Sequence, residues 1–244
     1  MSDAPVHPLL ALVPARSGSK GLPDKNVLSF AGIPLLAHAV QCARASGVCA
    51  RVVVSTDSQA VAELACAHGA DVPFLRPAEL ATDDAPILPV VQHAIEAVET
   101  ADGCRYEAVL LLQPTSPLRL PDDIVAAARL LAADREADGV IAVNEPEVHP
   151  HTLCALDRRG YLEDLVPGAS ALDRRQEAPP VYRINGLLYL WRRDFVLAAS
   201  NWRSGRLRPY DVPAWRGVDI DDRETFRAAE SVVTSGRLSL PWCN

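Results

Sequence analysis

No apolar run in this chain approaches the roughly 20 residues that cross a bilayer. Its first ten residues lack a cationic start followed by a long apolar core, so a cytoplasmic protein without a membrane anchor is expected. Paired Cys-x-x-Cys spacing is missing too. Cys42, Cys49, Cys66, Cys104, Cys154 and Cys243 are scattered, which argues against a structural zinc site or a disulfide framework and reads most of them as small apolar side chains. Positive charge is not in excess: the formal net charge is −7, which argues against nucleic acid as a partner. No internal repeat and no low-complexity segment interrupts the 244 residues, a length that suits one domain with a small insertion.

What is present is ordinary globular composition, 49% apolar and 23% charged, arranged as alternating strands and helices. Continuous apolar or β-branched runs predict strands at 9–13, 51–55, 107–112, 139–144 and 187–191, with a short one at 72–75. Helical spacing predicts helices over 33–45, 59–68, 84–98, 121–133 and 222–233, with Pro34, Pro86 and Pro121 in first turns and Gly47 and Gly69 past the ends. Residues 200–213 read as loop. Between 145 and 180 the pattern degrades into prolines, short apolar runs and two arginine pairs, the mark of an inserted hairpin or small subdomain. The expected fold is α/β, Rossmann-like, with a mainly parallel sheet, helices on both faces and this one insertion in a single domain spanning 1–244. In such a sheet, ligands bind at the carboxyl ends of the strands.

The loop after the first strand is therefore informative. Pro14, Gly18, Gly21 and Pro23 alternate with Arg16, Lys20 and Lys25, three cations in a ten-residue span. Small residues let the backbone approach a ligand and turn its N–H groups inward, and the cations suit a polyphosphate. It is not the usual P-loop, because no Gly-Lys-Ser/Thr opens a helix after it. Near the other end, Asp219-Ile220-Asp221 alternates two carboxylates on an extended segment, with Ile220 directed at the core. Two hard oxygens suit magnesium, which takes one or two carboxylates and completes its shell with phosphate oxygens. The competing explanation is a helix start, where Asp221 and Asp222 are stabilised by the dipole without any metal.

These stretches also carry a resemblance. Residues 12–26, Val54-Ser55-Thr56-Asp57, the Arg76-to-Asp83 block RPAELATD, the Gln113-to-Arg119 block QPTSPLR, Tyr182-Arg183-Ile184-Asn185-Gly186 and Asp219-Ile220-Asp221 together resemble the acylneuraminate cytidylyltransferases, the CMP-sialic acid synthetase family. The blocks fall in family order and cover nearly the whole chain. The resemblance implies transfer of a cytidylyl group from CTP to a 2-keto sugar acid, a sialic acid or related nonulosonic acid. It implies a magnesium ion, with manganese as an alternative, and a homodimer formed through 145–180.

By the same resemblance Arg16, Ser19, Lys20, Asn26, Arg76 and Asp83 bind the nucleotide, and Arg16, Lys25 and Arg174 assist catalysis. Gln113, Arg175, Gln176, Arg183 and Asn185 face the sugar acid. Asp221 is a metal ligand, and Asp219 is either a second ligand or the base near the sugar hydroxyl. One departure stands out: the family often has serines and threonines after the block's aspartate, whereas here the stretch is Asp83-Asp84-Ala85-Pro86-Ile87. Rival readings are a relative acting on another acceptor, such as a Kdo-like acid or a phosphonate, and a nucleotide binder without turnover.

Overall fold

The computed structural model describes residues 8–18, 21–168 and 179–243. Strand β1 (Leu9–Pro14) lies inside the sheet, buried on both faces. After it a two-residue hairpin, β2 (Ser29–Phe30) and β3 (Ile33–Pro34), leads into α1 (Leu35–Ser46). The helix predicted from 33 therefore starts at 35, because Ile33 and Pro34 pair with Phe30 and Ser29 first. Next come β4 (Cys49–Ser55), α2 (Gln59–Ala67), α3 (Ile87–Asp102), β5 (Ala108–Leu111), α4 (Pro121–Ala133) and β6 (Gly139–Asn144). The inserted hairpin is β7 (Cys154–Leu156) and β8 (Leu162–Asp164), and the chain returns as β9 (Arg183–Arg192), α5 (Arg193–Ala198), β10 (Leu207–Asp211) and α6 (Arg223–Thr234).

The main sheet runs β10-β6-β9-β5-β1-β4, parallel except for β9, which is antiparallel to both β5 and β6. Period-two alternation assigns each residue of β1 to one side. Leu9, Ala11 and Val13 pack in one cluster with α1 and α4, while Leu10 and Leu12 pack in another with Val91, Ala94, Ile95 and Val98 of α3. Covered on both faces, the strand is apolar throughout. A third cluster joins Leu22, Phe30 and Leu35 to Ile220 and Ala229, so the loop after β1 and the Asp219–Asp221 segment share a core.

Several predicted elements move. No strand forms at 72–75; the pairing is one bridge, Val53 to Asp71, and Pro73 has no N–H to carry a ladder further. The helix predicted from 84 begins at Ile87, with Pro86 extended at its cap, and it runs on to Asp102, where Gly103 at φ 62 stops it. The strand predicted at 187–191 is Arg183–Arg192, with irregular register against β6 beside the left-handed Gly186. The stretch 200–213 is not all loop: β10 lies in it, an edge strand where Pro209 is tolerated because one side has no partner.

Candidate active site

The loops at the carboxyl ends of β1 and β5, with the segment leading into α3, converge on a cleft of about 640 Å³ lined by Arg16, Lys25, Asn26, Arg76, Asp83, Gln113, Thr115 and Asp221, among others. The loop after β1 is tied to the loop after β4. Asp57 accepts hydrogen bonds from the Ser17 N–H (2.8 Å) and hydroxyl (2.6 Å). Partial burial alone raises the Asp57 carboxyl, but the Ser17 bonds and the nearby Arg76 charge leave it below its usual range. Asn26 is buried and donates from its amide to the Arg16 carbonyl, 3.1 Å, closing the loop on itself.

Arg76 is the cleft's buried cation. It donates to the Ser55 hydroxyl (3.0 Å) and carbonyl (2.5 Å), and burial lowers its guanidinium to about 10, so it stays charged at neutral pH. Arg16 reaches across the cleft to Asp83 at 2.6 Å, both side chains about a quarter exposed. The stretch after Asp83 offers no hydroxyl, but Thr82 before it and Thr115 opposite both line the cleft.

The Asp219–Asp221 segment belongs to no helix or strand, and Ile220 is fully buried. Ile220 donates its N–H to the Thr115 carbonyl (2.8 Å) and accepts from Lys25 Nζ (2.6 Å). Lys25 also lies 3.4 Å from Asp221, whose side chain is 77% exposed. Gly21 is packed so tightly here that an added Cβ would sit 2.6 Å from the Asp221 carbonyl oxygen. Asp222, not Asp221, caps α6: it accepts from the Thr225 N–H at 2.8 Å. The helix-start explanation therefore accounts for Asp222 and leaves Asp221 free of that duty.

Asp219 does not line the cleft. Burial pushes its carboxyl above the usual range; the Asp221 charge adds to this, while the Thr115 hydroxyl, Lys25 and Arg183 oppose it. Its buried Oδ1 has no hydrogen-bond partner. An orphaned carboxylate oxygen beside a second, exposed carboxylate is a donor set that fits a hard divalent cation. Among the described residues no group of three or more His, Cys, Asp or Glu is placed to hold an ion unaided, so such a cation would need oxygens from elsewhere, as magnesium takes them from phosphates.

Gln113 lines the cleft with its side-chain oxygen against Gly186, where an added Cβ would lie only 2.7 Å away. Arg183 is exposed at the start of β9 and acts electrostatically on Asp219. Asn185, expected to face the sugar, belongs to the scaffold instead. It is buried, donating to Asn144 Oδ1 and accepting from the Leu187 N–H, both at 3.1 Å. Ser19, Lys20, Arg174, Arg175 and Gln176 lie outside the described residues. Sequence reasoning missed the clasp of Lys25 on Ile220 and a buried Arg119, Asp123 and Arg216 cluster behind the cleft. No local pattern signals either, since both join residues about 70 to 200 positions apart.

Fold and site together define an α/β protein with a cleft in which the cations Arg16, Lys25 and Arg76 share the lining with the carboxylates Asp83 and Asp221. A family profile described as "Cytidylyltransferase" matches residues 10–211, and the chain belongs to that family. It is 33% identical over 219 residues to an N-acylneuraminate cytidylyltransferase of Streptococcus agalactiae serotype III, an alignment covering 89% of this chain and 51% of that protein. It is 34% identical over 234 residues to a CMP-N,N'-diacetyllegionaminic acid synthase of Legionella pneumophila, covering 95% of this chain and 99% of that one. The chain thus spans about half the length of the first of these relatives. Among solved structures, a CMP:2-keto-3-deoxy-manno-octonic acid synthetase complexed with CTP has the same fold. That likeness has TM-score 0.69 and 17% identity, and covers 95% of this chain and all of that one.

Proposed function

We propose that this protein transfers a cytidylyl group from CTP to a hydroxyl of a 2-keto sugar acid of the nonulosonic type, giving the CMP-sugar and pyrophosphate. The observation that carries it is the one cleft lined both by Arg16, Lys25, Asn26 and Arg76 and by Gln113, Thr115 and Asp221. The sugar hydroxyl oxygen attacks the α-phosphorus. As the new P–O bond forms, the bond to the β-phosphate oxygen breaks and pyrophosphate departs, while the hydroxyl proton passes to a base. In this reading Asp221 is the metal ligand, and Asp219 is either a second ligand or the base for that proton. Bound there, magnesium or manganese would supply charge to the phosphate oxygens.

Arg16 and Arg76 carry fixed positive charge where the leaving oxygens become more negative, the kind of preorganised charge that favours the transition state over the bound substrate. Nucleotide binding must first draw Arg16 from Asp83. Gln113, held against Gly186, and Arg183 form the acceptor side.

A homodimer fits the distribution of exposed apolar side chains. Six of the eight exposed large apolar side chains among the described residues, Val148, Leu153, Leu156, Tyr161, Leu162 and Leu165, fall on or next in sequence to the inserted hairpin, and such a concentration marks an interaction surface. No helix among the described residues is long and apolar enough to cross a membrane. Pyrophosphate release with CTP and a panel of keto sugar acids tests the function. Release with a Kdo-like acid or a phosphonate alone would reassign the acceptor, and release with none would leave a nucleotide binder.

A further inference from the structure

Outside the lining of the cleft sits a buried cluster of charge. Arg119, Asp123 and Arg216 are each less than a tenth exposed. Asp123, in the first turn of α4, accepts from Arg216 Nη2, from the Leu120 N–H (2.7 Å) and from the Tyr210 hydroxyl (2.9 Å). Arg216 also donates from Nε to the Leu118 carbonyl, 3.1 Å. Arg119 donates to the carbonyls of Leu187 and Gln113, the latter at 3.2 Å. One guanidinium thus anchors the start of the Gln113–Leu118 loop to β9, and the other anchors its end to the segment leading to Asp219 and Asp221.

The two segments meet again at Ile220 and Thr115. Between these two attachments the chain has little room to shift. An added Cβ at Gly217 would lie 2.5 Å from Asn144 Oδ1. We propose that Arg216, held by Asp123 and the Leu118 carbonyl, is a positioning residue that sets the Asp219–Asp221 carboxylates in register with Gln113 and Thr115. The inference rests on the reading above that Asp221 holds a divalent cation against a nucleotide.

The physical reason lies in what a buried ion pair does well. Taking two charges out of water costs about as much as their attraction returns, and well-packed apolar residues often stabilise a core equally. A guanidinium fork does what an apolar side chain cannot: it fixes two partners on different elements at a set distance and angle. Here those partners are the α4 start and the loop that carries Thr115. An apolar replacement would keep the core filled while letting the carboxylate segment drift, and displacements of about 1 Å near reacting groups already cost of the order of a hundredfold in rate.

The test replaces the pair together, Arg216→Met with Asp123→Leu, beside Arg216→Lys, which keeps the charge but loses the fork. Melting temperature reports folding, and calorimetry with CTP alone reports the nucleotide cleft, which neither residue lines. Manganese binding in the presence of CTP, read by electron paramagnetic resonance, reports the carboxylates without any turnover. The double variant should fold and bind CTP within about threefold of native, yet bind manganese with CTP at least tenfold more weakly. Its turnover should fall by a similar factor. Combined with Asp221→Asn, the turnover losses should be less than multiplicative, since both act through one carboxylate.

Native-like manganese binding in a folded double variant, or fully multiplicative losses, overturns the positioning role alone. If the pair variant does not fold, Arg216→Lys decides: it should show the same selective loss, and native-like manganese binding there overturns the role. A native protein that binds no manganese with CTP overturns the metal reading and this inference with it.

Discussion

Asp221→Asn separates the two explanations for an acidic residue just before a helix. The change keeps the size of the side chain and removes its charge. The cap of α6 is made by Asp222, and among the described residues Asp221 pairs with Lys25 at 3.4 Å across an exposed contact. An exposed pair of that kind contributes about 0–1 kcal/mol, which for a protein of this size moves the melting temperature by no more than about 2–4 °C. Turnover should respond differently. If Asp221 holds the divalent cation, its loss removes charge from the site where phosphate charge builds, and kcat should fall about a hundredfold or more, equivalent to at least about 2.7 kcal/mol of barrier. Asp222→Ala is the matched control. It removes the bond to the Thr225 N–H, should cost about 1 kcal/mol of stability, and should leave kcat near native. Melting curves and steady-state kinetics at saturating magnesium on both variants settle the matter. Near-native turnover in Asp221→Asn, or a large loss of stability, would refute the reasoning.

Three further outcomes are expected. Gly186→Ala forces a Cβ to within 2.7 Å of Gln113 Oε1 at a φ of 78, so it should destabilise by about 1–3 kcal/mol and raise the KM for the sugar acid more than that for CTP; unchanged kinetics would remove Gln113 from the acceptor side. His38 is buried and lowered to about 4, chiefly by desolvation; its Nδ1 accepts from Trp242 and its Nε2 donates to the Phe30 carbonyl. The unfolded chain takes up this proton near pH 6.5 while the folded one does not until about 4, so stability is lost as pH falls between those values, by about 2 kcal/mol at pH 5; the melting temperature of His38→Gln should slope less over that window. Leu156→Asp with Leu162→Asp should yield a monomer by light scattering if the hairpin forms the dimer; an unchanged dimer would place the interface elsewhere.

The sheet was readable because β1, β5, β6 and the Val52–Ser55 part of β4 are buried runs, and a strand covered on both faces has to be largely apolar. β10 was not, since an edge strand of sequence Leu-Arg-Pro-Tyr-Asp is half exposed and carries a proline. The start of α3 was misplaced because Pro86 serves equally at a cap and in a first turn, and only tertiary packing chooses. Of the cleft's lining, Arg16, Lys25 and Asp221 were visible by type and spacing, whereas Asp219, which the same spacing joins to Asp221, lies outside the lining. Asn185 did not announce that its amide is spent on Asn144 and Leu187, because a side chain's partners are set by register across β6 and β9. The Arg119, Asp123 and Arg216 cluster was hidden for the same reason: charged residues read as surface until the fold buries them.

Pyrophosphate release tests the central claim most directly. The protein is mixed with magnesium, CTP and each of a panel of 2-keto sugar acids, with ATP in parallel, and the sugar product is identified by mass. The expected result is one pyrophosphate per CMP-sugar, formed only when CTP and a nonulosonic acid are both present, with ATP inactive. Pyrophosphate formed equally from ATP, or none formed with any acid while CTP still binds, would contradict cytidylyl transfer to a keto sugar acid.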